Sequence, residues 1–330
     1  MLDLATVYQG MTHGEALAET IATAQEAERL GYQRLWVAEH HGMPGIASSS
    51  PPVLIAAIAA ATQRIRVGSG GVMLPNHASL VVAEQFGTLV ALHGDRIDLG
   101  LGRAPGTDPF TMAMLRRGAG AESVEDFPNQ VMELLAWFGI TGPLESGVGS
   151  RVVAVPGYGD APQLWLLGSS DFSARLAGLM GLPFAFAHHF AGGPSTPLAF
   201  QVYRDSFRPG VLDAPHSMVA VSATIGESNE EAERLALPNA LSFLRIRQGA
   251  RPARQPTLAE AEAHPWSDAE RAWVEERFAH QAVGDVTQAK ARIQALVAST
   301  GADEVIVAPQ GPDLESKLAT LRALAEQPGG

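Results

Sequence analysis

Three short stretches place chemically active side chains just past apolar runs. Glu39-His40-His41 follows the run 34–38. Gly100-Leu101-Gly102-Arg103 closes the run 96–101. Gly168-Ser169-Ser170-Asp171-Phe172-Ser173 follows the run 163–167. A histidine at the end of a buried strand is placed to act as a general base near neutral pH; His40 and His41 are both candidates, and the spacing does not choose between them. Glycine at a strand end lets a flat ligand lie against bare backbone, and Gly70-Gly71 offers the same inside the run 67–73. Arg103, one residue further on, is placed to hold an anion. Ser170 and Ser173, three apart at the start of a helix, project to one side and form, with the free N–H groups of that turn, a cradle for a phosphate. Plain N-capping by Ser170 is the competing reading. Asp171 must point away if a phosphate sits there.

Two other chemistries are set aside on spacing. The glycines at 100, 102 and 106 are separated by one and then three residues, with Pro105 before the third, which is not the dinucleotide fingerprint. His77, His93, His188 and His189 add imidazoles, but no His-x-His or His-x-x-x-His pair stands near a carboxylate, so no catalytic metal is expected.

The elements that would hold these residues alternate from end to end. Strands are predicted at 2–7, 34–38, 67–73, 96–101, 163–167, 183–187, 218–223 and 304–307. Helices are predicted at 50–62, 79–92, 124–138, 171–180, 197–207 and 229–246, with a first one opened by the capping box Thr12–Glu15 and stopped by Gly31. The helix before the last strand is expected to be capped by Asp285, with Gln288 completing the box and Val286, Ala289, Ile293, Leu296 and Val297 forming its stripe. Eight strands with intervening helices are the arithmetic of a (β/α)8 TIM barrel, an α/β fold, over a single domain spanning 1–330. A doubly wound open sheet could absorb the same elements. The surplus length falls at 106–123, 140–161 and the proline-interrupted 248–280, so insertions are expected after strands four and seven, the first as a candidate lid. In a barrel, the loops after the strands build the active site, which is where all three stretches lie.

Composition narrows the partners. The 330 residues carry a formal charge of −12, with lysine only at 290 and 317; this argues against nucleic acid and an anionic membrane surface. There is no cysteine, which excludes disulfides, thiolate metal sites and a cysteine nucleophile. The opening MLDLATVYQG lacks a basic region followed by an apolar stretch, and no run reaches the length of a membrane span; a cytoplasmic protein is expected.

Taken together, the chain resembles the bacterial luciferase-like flavin monooxygenases. The matching blocks run in order: LWVAEHH at 35–41, VGSGGVMLPNH at 67–77, AEQFGTL at 83–89, GRIDLGLGRAPGTD with Asp95 in place of its first Gly, GSSDFSARLAGLMGLPFAFAHHF at 168–190 and VGDVTQAKARIQALVASTGADEVIV at 283–307. The resemblance implies a (β/α)8 barrel using reduced FMN, supplied by a separate reductase, with oxygen and a small organic substrate. It places a non-prolyl cis peptide at Gly70-Gly71 beneath the flavin ring. Arg103 matches the arginine that meets the flavin phosphate, and Gly168, Ser169, Ser170 and Ser173 the phosphate turn. His40 matches the luciferase base, with His41 beside it. Gly102 stands where luciferase carries a reactive cysteine, which argues against light emission. A homodimer through the helices at 50–62 and 79–92 is also implied. A deazaflavin-dependent oxidoreductase and a flavin-binding protein without turnover are the alternatives.

Overall fold

The computed structural model describes residues 1–104, 106–115, 125–193 and 195–325. Its strands are β1 (Leu2–Asp3), β2 (Arg34–Val37), β3 (Arg66–Met73), β4 (Ile97–Gly102), β5 (Gln163–Gly168), β6 (Phe184–Phe186), β7 (Ser217–Ile225), β8 (Ala282–Gly284) and β9 (Glu304–Pro309). The described helices are α1 (His13–Arg29), α2 (Pro51–Ala61), α3 (Ser79–His93), α4 (Pro109–Leu115), α5 (Phe127–Trp137), α6 (Asp171–Met180), α7 (His188–Ala191), α8 (Ser195–Ser206), α9 (Asn229–Arg247), α10 (Leu258–Ala263), α11 (Asp268–Ala279), α12 (Val286–Thr300) and α13 (Leu314–Ala325).

All strands run parallel in one sheet ordered β1 to β7. β9 pairs with β7 over Met218–Ala223 and β8 with its last residues, Ala223–Ile225. The sheet curls. Leu2, Trp36, Trp165, Met218 and Ile306, from strands at both ends and the middle of the order, meet in one buried cluster on the concave side, and the Trp36 and Trp165 rings stand edge to face at 5.5 Å. β9 comes alongside β1, although among the described residues no ladder joins them. This is an α/β fold with a parallel sheet curled into at least half a barrel. The larger core lies on the convex side, between the sheet and the helices.

At the N-terminal ends of the strands, ions fill the concave side. Arg34 on β2 donates to Asp98 on β4 (2.6 Å) and to Glu304 on β9 (2.9 Å), and Arg66 donates to the other oxygen of Asp98 (2.8 Å). Asp98 is fully buried, so its charge is tolerated only because two guanidinium groups and the Trp36 N–H satisfy it. Conserving this end for packing leaves the opposite, C-terminal end for ligands.

Several expectations are corrected in detail. The first strand stops at Asp3, where the chain turns out through Ala5 at φ +48° with its N–H on the Asp3 carboxylate. β8 is a strand where none is expected. The segment 248–280 carries α10 and α11, each opened by a capping box. Asp285 caps α12 through the Gln288 N–H, but Gln288 does not complete the box: the Asp285 N–H goes to Asn229 instead. The expected helix 124–138 is Phe127–Trp137; residue 124 and part of the candidate lid, 116–123, lie outside the described residues. No described helix is long and apolar enough to cross a membrane.

Candidate active site

The chain leaves β2 through Ala38, held by the Asp3 carbonyl, and buries Glu39 completely. Glu39 Oε1 accepts from His41 Nε2 and from His77 Nε2, both at 2.8 Å, and Oε2 accepts from the Met73 N–H at 3.0 Å. One carboxylate thereby ties the end of β2 to the end of β3 and the turn after it. Burial pushes the Glu39 carboxyl up, but the bonds from His41 and His77, the His77 charge and the Met73 amide outweigh it and hold the group at about 2. An ionised carboxylate only accepts, so both imidazoles present Nε2–H to it and, when neutral, keep a lone pair on Nδ1. These three residues also offer donor atoms all within 4.8 Å of one another, a grouping that the spacing 39, 41, 77 conceals; the atoms concerned already form the hydrogen bonds just described.

His40 stands in the same turn, between Glu39 and His41 in the chain. Its N–H donates to the Ser48 carbonyl at 3.3 Å, and its Nδ1 is buried without a partner. Burial lowers its pKa, with the Glu39 charge opposing and the His41 charge adding to the shift. An imidazole in this state is neutral at pH 7 with an unengaged ring nitrogen, which is what proton abstraction needs. The chain after β4 closes over this turn: the His41 N–H donates to the Gly106 carbonyl, and Thr107 donates to the His41 carbonyl at 2.6 Å.

Next to it, β3 carries the glycine pair. The Gly70–Gly71 peptide is cis, and the β3–β4 register slips between Gly70 and Val72, so the expected irregularity falls where the sequence places it. A Cβ on Gly70 would meet the Trp36 side chain at 3.0 Å, one on Gly71 the Gly100 carbonyl at 2.7 Å, and one on Gly102 the Met73 sulfur at 2.9 Å. The backbone here forms a floor without side chains at the C-terminal edge of β3 and β4.

Beyond the floor, the Arg103 guanidinium lies over the Phe172 ring at 4.0 Å. Phe172 belongs to the first turn of α6, so this contact brings a cation to that turn. Ser170, the residue before α6, makes no side-chain capping bond, and Ser169 and Ser170 are both exposed. Capping therefore does not account for Ser170. Ser173 is buried with its side chain packed on Gly168, where a Cβ would collide with it. Asp171 is exposed. The structure thus draws His40, His41, Gly70, Gly71, Gly102 and Arg103 to the ends of β2–β4, and Gly168, Ser169, Ser170 and Ser173 to the end of β5. Sequence reasoning missed Glu39 as the organising acceptor and His77 as its second donor. The available signal was a carboxylate at a strand end beside histidines, with another histidine past the next strand.

A family model described as luciferase-like monooxygenase matches residues 1–304. The chain belongs to the luciferase-like monooxygenase family. Within it, the chain is similar to an uncharacterized protein, YvbT, of Bacillus subtilis strain 168, at 45% identity over 99% of this chain and 95% of that one. It is also similar to the luciferase-like monooxygenase of Escherichia coli strain K12, at 42% identity over 96% and 93%. Among solved structures, apo-MsnO8 superposes with a TM-score of 0.87 at 35% identity, covering 98% of this chain and 96% of that one. A likeness in fold alone, at 18% identity and a TM-score of 0.72 over 99% and 96%, links it to the oxygenating constituent of 3,6-diketocamphane monooxygenase of Pseudomonas putida in complex with FMN. Family and neighbours indicate monooxygenase activity, and every block placed at the strand ends above lies inside the matched span.

Proposed function

We propose that this luciferase-like monooxygenase uses reduced FMN and molecular oxygen to oxygenate a small organic substrate. The carrying observation is Arg103 stacked on Phe172, which sets a guanidinium beside the uncapped start of α6. Arg103, the hydroxyls of Ser169 and Ser170, the first N–H groups of α6 and Ser173 would hold a terminal phosphate there. Asp171, exposed in the same turn, is the one opposing charge. The ring would lie on the bare backbone of Gly70, Gly71 and Gly102, where any Cβ would intrude. When bound, reduced FMN supplies the electrons that let one oxygen atom pass to the substrate and the other leave as water.

The chain's own task is to exclude water and handle protons. His40 accepts or returns a proton at Nδ1, its neutral form favoured by burial. Glu39 positions His41, and the bond between them fixes the tautomer of the neighbour. The FMN complex of the Pseudomonas putida protein supports FMN as the ligand of this fold. The architecture that suits this function is one domain over 1–330, a closed (β/α)8 barrel with insertions after strands four and seven, in a cytoplasmic enzyme served by a separate reductase. Val53 on α2 and Val81 and Leu92 on α3 are exposed apolar side chains, which supports a homodimer through these helices.

The test is binding of FMN, FAD, riboflavin and a deazaflavin to the purified protein, followed by oxygen uptake with photoreduced FMN. FMN binding tighter than riboflavin, with uptake that rises when an oxygenated product forms, is the expected result. Preference for the deazaflavin without oxygen uptake would replace the reading by hydride transfer; binding without turnover would reduce the protein to a flavin carrier.

A further inference from the structure

A cavity of about 220 Å³ opens past β6, lined by His188 and His189 from α7, Arg247 from α9, and Trp273, Arg277 and His280 at α11. Its electrostatics are unbalanced. The Arg277 guanidinium lies over the Phe243 ring at 3.9 Å and within 5.9 Å of the Trp273 ring, and Arg247 approaches the same Trp273 at 5.6 Å. The polar partners of Arg277 are neutral: the Asn239 side-chain oxygen at 3.4 Å, and the Gln281 amide oxygen at 3.3 Å when that amide is turned to offer it. Burial alone holds the Arg277 pKa down at about 10, with no carboxylate opposing it. Arg34 on β2 is by contrast met by Asp98 and Glu304. The one carboxylate on the cavity wall, Glu276, is exposed. A half-buried cation on a cavity wall, between aromatic faces and neutral amides, is chemically suited to an anionic ligand.

His189, just past β6, lies on the cavity wall. Its Nδ1 is buried without a partner. Burial first, then the charges of Arg277, His188 and His40, hold its pKa down at about 3, so the ring is neutral at pH 7.

We propose that this cavity seats the substrate and that the substrate is a small organic carboxylate, its carboxylate on Arg277 with Arg247 behind, its apolar body along Trp273, and its reacting end toward His189 and His40. The proposal rests on the flavin monooxygenase reading, whose phosphate it assigns to a different place, the Arg103 turn. Guanidinium–carboxylate pairs are bidentate and charge-assisted, so the discrimination against an uncharged isostere is strong.

The test needs neither flavin nor turnover. Phenylacetate and phenylacetamide are titrated into the whole protein by calorimetry, at low and high NaCl. Phenylacetate is expected to bind roughly tenfold or more tighter than the amide, with a preference that shrinks as salt rises. Arg277→Met is expected to abolish the preference and Arg277→Lys to restore part of it, with FMN affinity unchanged in both. Equal binding of acid and amide by the wild type, or a preference that survives Arg277→Met, overturns the proposal. So does a loss of FMN affinity in Arg277→Met that leaves Arg103→Ala binding FMN normally, since the flavin phosphate would then sit here. Should Arg277→Met fail to fold, Arg247→Met and the wild-type salt dependence decide the matter in the same terms. Failure of the wild type to bind FMN at all would sink the flavin reading while leaving the acid–amide comparison readable.

Discussion

Glu39 at the end of β2 accepts a hydrogen bond from His77, thirty-eight residues further along the chain, with Oε1 2.8 Å from Nε2. The same oxygen accepts from His41, so a single buried carboxylate sets the orientation of two imidazoles that flank the active-site turn. The arrangement has a thermodynamic signature. The folded pKa of Glu39, about 2, lies below its ordinary value of 4.5, so the unfolded chain binds the proton more readily. The stability it contributes is complete above pH 4.5 and is lost as pH falls from 4.5 to 2, by about 3 kcal/mol. Glu39→Gln is expected to be less stable than the wild type by about that amount at neutral pH, and the gap should close across that acid window. Urea unfolding at a series of pH values checks it; a gap independent of pH would remove the ionised carboxylate from the account.

The same three side chains bear on metal dependence. Coordination through both Nε2 atoms would require each imidazole to give up the N–H that Glu39 accepts and move its proton to Nδ1. Turnover is therefore expected to survive exhaustive dialysis against EDTA unchanged. A loss restored by one divalent ion would mean that Glu39, His41 and His77 form a metal site instead.

The two halves of the flavin site separate by ligand. Arg103→Ala removes a charge-assisted contact that only a phosphate makes, worth about 1.5–3 kcal/mol; FMN is expected to weaken by roughly ten- to a hundredfold and riboflavin hardly at all. Gly71→Ala inserts a Cβ that meets the Gly100 carbonyl at 2.7 Å, on the floor where the ring lies, and should weaken both ligands alike. Fluorescence quenching of each flavin measures this. Equal losses for both ligands in Arg103→Ala would detach Arg103 from the phosphate.

How much of this was legible follows from where each residue stands in the chain. Eight of the strands, all but β8, fall on short apolar runs legible in the sequence, and His40, Gly70 and Arg103 are legible as functional because each sits within three residues of such an end. β8 is three residues long and buried throughout, so no alternation marks it. The Glu39–His77 bond and the cavity between His188 and Arg277 depend on which segments the fold sets side by side, which no local pattern carries. Arg277 was further hidden by the prolines at 252, 256 and 265, which read as an irregular insertion although two capped helices form there. The Gln288 box failed for a related reason: Asn229, distant in sequence, supplies the acceptor first.

Assembly is open to direct measurement. Val53 is 71% and Leu92 68% exposed on α2 and α3, apolar area that a partner subunit would remove from water. A dimer in solution is expected at micromolar concentration, and Leu92→Glu paired with Val53→Asp should raise its dissociation constant by about a hundredfold or more, a change of about 2.7 kcal/mol. Light scattering with size exclusion decides between this and a wild-type monomer.

The last prediction concerns His40. Its Nδ1 is buried and unpartnered, its pKa is held below the ordinary 6.5 by burial, and the turn that carries it is fixed by the His41 bond to Glu39 and by the Ser48 and Gly106 carbonyls. General acid–base catalysis contributes about 10²–10⁴-fold, so His40→Ala is expected to lower turnover with pre-reduced FMN by at least the low end of that range, with FMN affinity kept. Because the proton must be absent from the base, wild-type kcat/KM should fall on the acid side through an apparent pKa below 6.5, and that limb should be missing from the residual activity of His40→Ala. His41→Ala is expected to differ: with the Glu39 bond lost but Nδ1 of His40 intact, turnover should fall less and the acid limb should persist. If His41→Ala loses the limb while His40→Ala retains it, the two exchange roles; if His40→Ala also loses FMN, His40 is a binding residue and the proton acceptor lies elsewhere.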